Sequence, residues 1–141
     1  MRFLDANIFI YAYYRPKGTL GDKELHMKNL SKQIIERINK GTEEVMTTVV
    51  HLSEVANILK YRMSNDSLLE LFLGLYSRKN VIIKSVLSEE YLLALELASE
   101  ENMEPNDALA LHFMRNEDIK EIYTFDTNFE KVSDIIKLPI I

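Results

Sequence analysis

A chain of 141 residues, 47% of them apolar, is long enough to close one continuous core and short for two, so a single domain over residues 1–141 is expected. The absence of cysteine excludes disulfides, thiolate zinc sites and a cysteine nucleophile. A net charge of −5 argues against coating nucleic acid by bulk positive charge, although −5 becomes −1 once four carboxylates are set aside as metal ligands.

Met1-Arg2-Phe3-Leu4 reaches Asp5 and Asn7 before a signal-like apolar stretch accumulates. The longest apolar run, residues 68–76, is interrupted by Glu70 and Gly74 and falls well short of the roughly 20 residues a membrane span needs. A cytoplasmic protein without a membrane segment is the expectation.

In chain order, residues 2–5 read as a short strand and 8–14 as a brief helix or turn. Residues 15–21, with Pro16, Gly18 and Gly21 close together, form the one loop-rich stretch. Asp22–Asn39 carries Leu25, Leu30, Ile34, Ile35 and Ile38 at roughly helical spacing, with Gly41 just past its end. Val45–Thr48 fits a second strand, followed by helices over 49–63 and 67–77. Residues 81–83 form the third strand. Ser88–Glu101 reads as a helix with Ser88 as its N-cap, and Pro105 opens another over Pro105–Asn116. A fourth strand is predicted at 121–125 and a short final one at 138–141. Strands separated by helices predict an α/β domain whose parallel sheet of about four to five strands is covered on both faces. In such a sheet the ligand crevice lies beyond the carboxyl ends of the strands, where the strand order reverses.

Four carboxylates fall in places that suit such a crevice. Asp5 follows the first strand and Asp126 the fourth; each also reads as an N-cap, because a carboxylate accepts hydrogen bonds from orphan amides. Glu54 shares a helix stripe with Val50, Ile58 and Tyr61, while the opposite face carries Leu52, Val55, Ala56, Leu59 and Met63. Burial of Glu54 is therefore expected, and a buried carboxylate must be paired with a base, protonated or bound to metal. Asp107 heads Ala110, Leu111 and Met114 on a helix that is apolar nearly all round, although an acid in a first turn is also favoured by the helix dipole alone. Glu104 reads as a solvated loop charge or an outer ligand. His51, one turn before Glu54, offers a His/Glu pair, against which stands ordinary packing.

Gathering four acids costs energy through repulsion and desolvation, pushing some toward protonation unless a cation compensates. An all-oxygen set suits Mg2+ or Mn2+ better than zinc, which more often recruits histidine or cysteine.

Phe3-Leu4-Asp5-Ala6-Asn7, Ser53-Glu54-Val55, Asn106-Asp107-Ala108-Leu109-Ala110 and Thr124-Phe125-Asp126-Thr127-Asn128-Phe129, in this order, give nearly the whole chain a resemblance to PIN-domain proteins. Among these it most resembles the VapC-like toxins of prokaryotic toxin–antitoxin pairs. The resemblance implies a three-layer α/β/α sandwich, a homodimer, an antitoxin partner, and endonucleolytic cleavage of RNA by metal-activated water that leaves a 5′-phosphate and a 3′-hydroxyl. It further implies Asp5, Glu54, Asp107 and Asp126 as the catalytic set binding one or two Mg2+ or Mn2+ ions, with Asn7, Thr124 and Asn128 orienting the ligands or a water. Arg15, Lys17, Lys28, Lys32 and Arg37 are candidates for phosphate contacts, weighed against being solvated surface charges. Two departures stand out: the loop 15–21 before a long second helix bears on the substrate entrance, and Asn106, where some relatives carry a further acid, bears on a second metal ion.

Within the family, rival readings are a housekeeping nuclease of RNA processing or decay and a catalytically silent binding module; the four intact acids argue against the latter. A receiver-like phosphotransfer domain would want a second acid beside Asp5 and a late lysine, and a haloacid-dehalogenase-type phosphatase would want an aspartate where Asn7 stands. The apolar helices at 49–63 and 67–77 are the expected dimer face.

Overall fold

Strands β1 (Arg2–Leu4), β2 (Val45–Thr48), β3 (Val81–Lys84), β4 (Glu121–Tyr123) and β5 (Ile136–Leu138) form one sheet in the order β3-β2-β1-β4-β5, and every neighbouring pair is parallel. The computed structural model describes residues 1–14 and 17–140. Six helices connect and cover the strands: α1 (Ala6–Tyr13), α2 (Asp22–Asn39), α3 (Val49–Leu59), α4 (Asn65–Ser77), α5 (Ser88–Glu101) and α6 (Pro105–Asn116). The expected α/β/α sandwich with a parallel sheet is the observed architecture.

Alternation along each strand divides the core. Phe3, Met46 and Ile122 point to one face, where α5, α6 and the segment after β4 cover them. Leu4, Val45, Val81 and Tyr123 point to the other, beneath α1, α2, α3 and α4. Helix α6 buries Ala108, Leu109, Ala110, Leu111, Phe113 and Met114, which explains why its sequence is apolar nearly all round.

The chain runs outward from central β1 to β2 and β3, then crosses back to place β4 on the other side of β1. The strand order thus reverses between β1 and β4, and a crevice opens beyond their carboxyl ends. Asp5 and Thr124 are the first residues past those two strands.

Several boundaries differ from the sequence reading. Helix α3 stops at Leu59 instead of 63, and α4 begins at Asn65 because the Ser64 hydroxyl accepts the Ser67 amide at 3.1 Å and starts a new helix. Ser88 is not the cap of α5. Leu87 occupies that position, its N–H donating to Glu90 Oε1 at 3.0 Å, and Ser88 is the first helical residue. Strand β4 ends at Tyr123, not 125: the Thr124 amide still reaches Leu138 O at 2.8 Å, but the amides after it turn to side chains, Phe125 N donating to Asn7 Oδ1 (3.2 Å) and Asp126 N to Thr124 Oγ1 (3.0 Å). The last strand lies earlier than expected, at Ile136–Leu138, ahead of Pro139, which has no N–H to pair; Ile141 lies outside the described residues.

Candidate active site

Asp5 caps α1. Its Oδ1 accepts the Ala6 amide at 2.8 Å and its Oδ2 the Thr124 hydroxyl at 2.7 Å, so one side chain ties the ends of β1 and β4 together. Thr124 is the hub of this corner. While donating to Asp5, its oxygen accepts from Asn7 Nδ2 at 3.2 Å and from the Asp126 amide at 3.0 Å. Asp126 in turn caps a short 3₁₀ turn (Thr127–Lys131), its Oδ1 accepting the Asn128 amide at 2.9 Å. Capping and membership of the crevice, alternatives in the sequence, are thus both true of Asp5 and Asp126.

Asp107 lies in the first turn of α6 and is only 6% exposed. It lies beside Asp126 and feels the charges of Asp5 and Asp126. Asn128 Nδ2 stands 3.5 Å from its Oδ2, a weak contact. Burial, then the adjacent Asp126 carboxyl and the charge of Asp5, hold the Asp107 carboxyl far above the usual carboxylate range. Burial also pushes Asp5 up to about 6, with Thr124 and the Ala6 amide opposing the shift and Asp126 adding to it. Among the described residues no lysine, arginine or histidine forms an ion pair with Asp5, Asp107 or Asp126.

Glu54 lines the same open cleft, of about 340 Å³, as Asp5, Asn7, Asp107 and Asp126, with Glu104, Pro105, Asn106 and Tyr91 completing its wall. The expectation that Glu54 sits within a buried helix face is corrected. Helix α3 buries only the side carrying His51, Leu52, Val55 and Leu59; Ile58 is exposed, and Tyr61, 71% exposed, lies beyond the helix end. Glu54 is half-buried, and Asn106 Nδ2 donates to its Oε1 at 2.8 Å. Glu104 is exposed at the cap position of α6.

His51 is not available as a ligand. It is fully buried, its Nε2 donates to the Asn106 carbonyl (2.9 Å), and its Nδ1 accepts from the Thr48 hydroxyl (2.7 Å). Burial pushes its pKa down to about 4, so the ring is neutral. Its work is to fix Asn106, whose amide holds Glu54. Sequence reasoning missed both this relay and Tyr91, the one aromatic in the cleft wall. A histidine three residues before the glutamate was the only available signal for the relay, and nothing in the periodicity of α5 marks Tyr91.

Among the described residues none of the basic candidates lines the cleft. Lys28 Nζ donates to the carbonyls of Tyr11 (3.0 Å), Ala12 (3.3 Å) and Tyr14 (3.0 Å), closing the C-terminal end of α1. Arg37 pairs with Glu43 at 3.2 Å, at the opposite end of the sheet. Lys17 and Lys32 are exposed, and Arg15 lies outside the described residues.

The donors present are carboxylate oxygens without a basic counter-charge, which is the chemistry a hard divalent cation requires. As the side chains stand, no group of three or more acids or histidines among the described residues could hold a metal ion. The donor chemistry fits Mg2+ or Mn2+. No helix among the described residues is long and apolar enough to cross a membrane.

Among curated proteins none matches the chain. Among solved structures it is similar to VapC20 of Mycobacterium tuberculosis, a sarcin-ricin loop cleaving toxin (20% identity, TM-score 0.70, covering 94% of this chain and 95% of that one). It is also similar to a toxin–antitoxin complex from Klebsiella pneumoniae (14%, 0.67, 96% and 96%) and to VapBC2 from Rickettsia felis bound to a DNA fragment from its promoter (17%, 0.61, 96% and 96%). These likenesses are of fold. The PIN-domain family model matches residues 2–135, taking in β1 through β4, all six helices and all four acids of the cleft, and the chain belongs to the PIN-domain family.

Proposed function

We propose that the protein is a divalent-metal-dependent endoribonuclease and the toxin of a toxin–antitoxin pair. The observation that carries the reading is the group Asp5, Asp107 and Asp126: two buried acids and a half-buried one, in mutual contact or electrostatic range, without an ion-pair partner among the described residues, at the point where the strand order reverses. A fold has no structural need for such a group, since desolvation and repulsion both oppose it. Asp5, Asp107, Asp126 and Glu54 are the residues to hold Mg2+ or Mn2+. When bound, the cation supplies a Lewis acid for a phosphate oxygen and lowers the pKa of an attacking water.

The chain's own groups have distinct parts in this reading. Thr124 aims Asp5 by its 2.7 Å hydrogen bond, and Asn106 aims Glu54 from across the cleft. Asn7 anchors the turn after β4 and so positions Asp126 indirectly, through Phe125 N and Thr124. Asn128, within reach of Asp107, stabilises the ionised form of that acid.

The toxin role, and an antitoxin as partner, are supported by the character of the structural neighbours. Residues Tyr61, Leu69, Leu73 and Tyr76, all more than half exposed on or beside α3 and α4, support the reading of a homodimer that closes over this face.

Cleavage of a mixed pool of unpaired and structured RNA is expected with Mg2+ or Mn2+ and not with EDTA. Asp5→Asn and Asp107→Asn should each lower the rate by at least about 100-fold, the scale of losing one transition-state electrostatic contact. Calorimetry showing no binding of either metal would sink the reading.

A further inference from the structure

Among the described residues the wall of the cleft holds no lysine or arginine, so an RNA strand finds among them no side chain of opposite charge. Bound cations can hold the phosphate, but they leave the bases without a partner. Tyr91 is the one aromatic side chain in that wall. It is 37% exposed, and among the described residues its hydroxyl and ring meet no hydrogen-bonding, ionic or aromatic partner. Its backbone is firmly held: Tyr91 N donates to Leu87 O at 3.1 Å, the adjacent Glu90 stands 3.6 Å from His112 of α6, and Ala94 and Ala98 below it are buried against the core. A flat ring on a rigid first helical turn, beside the carboxylates and without work in the core, is what a base-stacking platform requires.

We infer that Tyr91 stacks on a base next to the scissile phosphate. This rests on the ribonuclease reading and assigns it a base-contacting residue. In a paired stem the faces of the bases are covered by their neighbours, and the ring has nothing to stack on. The hydroxyl is dispensable, because the contact is made by the face of the ring.

The test compares the full-length wild type with Tyr91→Phe and Tyr91→Ala. Two fluorescein-labelled oligoribonucleotides of shared sequence, one unpaired and one folded into a stem, are titrated in Mg2+ and read by anisotropy, with gels confirming that binding is scored on intact RNA. Tyr91→Ala should weaken binding of the unpaired RNA by about tenfold, the scale of losing one base–aromatic stack. Tyr91→Phe should stay within about twofold of wild type, and the stem should bind alike to all three. Equal binding of the unpaired RNA by wild type and Tyr91→Ala overturns the inference, as does an equal loss for stem and unpaired RNA. So does a shift in the mass of Tyr91→Ala by light scattering, which would assign the ring to a contact between copies of the chain. Tyr91-dependent binding without cleavage would uphold the platform and overturn the nuclease; cleavage indifferent to Tyr91 would do the reverse.

Discussion

The two ends of the sheet treat charge in opposite ways. At the amino ends of the strands, Arg2 of β1 donates to Glu43 at 2.5 Å and to the Tyr123 hydroxyl at 2.6 Å, and lies over the Tyr123 ring at 5.1 Å. Arg37 reaches the same two partners at 3.2 and 3.3 Å, and the Tyr123 hydroxyl itself donates to Glu43. Glu43 is drawn below the usual carboxylate range by Tyr123, Arg2 and Arg37, despite its partial burial. At the carboxyl ends, Asp5 and Asp107 have no such partners and are driven the other way, by burial above all. Within one sheet, the fold neutralises its acids at the amino ends of the strands and leaves them uncompensated at the carboxyl ends, where the proposed cation would neutralise them.

Breaking the paired end should give the larger loss of stability. Glu43→Gln keeps the shape but leaves two arginines facing a neutral amide, in a site where the glutamate side chain is only 11% exposed. Because the two arginines are themselves 34% and 46% exposed, solvent screens the loss below that of a fully buried pair, to about 2 kcal/mol, or about 6 °C in Tm for a chain of this length. RNA cleavage, where the fold survives, should not change. A stable Glu43→Gln would erase the contrast.

The unpaired end should respond with the opposite sign. Asp5 titrates near 6 in the fold against a usual 3.8, so between those values the folded protein holds a proton that the unfolded chain has released. Stability of the metal-free protein therefore falls as pH rises from about 4 through about 6, by up to about 3 kcal/mol from this group. Asp107, also raised, extends the fall to higher pH. Asp5→Asn should flatten this slope and, in EDTA at pH 7, melt at or above the wild-type temperature. Mg2+ or Mn2+ should stabilise the wild type and leave the variant nearly unmoved. A marked loss of stability in Asp5→Asn would instead show that its bond to the Ala6 amide outweighs the charge. Chemical denaturation across pH, with and without metal, separates these outcomes.

Much of the unpaired end was legible in the sequence because its logic is local. Asp5 and Asp126 follow apolar β-rich runs, Asp107 follows a proline that opens an apolar helix, and the strand–helix alternation fixes which ends of the strands carry the crevice. The paired end was not legible. Its partners lie 41, 80, 86 and 121 residues apart, and no periodicity links Arg2 to Glu43 and Tyr123, or Tyr123 to Glu43 and Arg37. The place of Arg37, a candidate phosphate contact weighed against a surface charge, was not legible for the same reason: helical spacing tells which face of α2 it occupies, not toward which end of the sheet that turn points. Glu54 shows a further limit. Apolar neighbours on a helix imply burial only if something packs on them, and Ile58 is over a third exposed while Tyr61 stands largely in solvent.

The smallest effect sharpens the comparison most, because it moves an acid without removing a charge. Thr124 is fully buried, gives Asp5 its one side-chain hydrogen bond, and takes the Asp126 amide on the same oxygen. Thr124→Val keeps the volume closely but strips both functions. The lost hydrogen bond to the ionised carboxylate, worth about 1.5 kcal/mol or more, should raise the pKa of Asp5 beyond its present value near 6. Cleavage should then fall by about twofold at pH 7 and by about tenfold near pH 5, and recover as pH is raised, with the onset of activity displaced upward by about one pH unit relative to wild type. A uniform loss at every pH would mean that Thr124 only braces the β4 turn. Displacement of the pH profile is the signature of an acid held ionised by a neighbour, and it would tie the unpaired charges of this end of the sheet directly to catalysis.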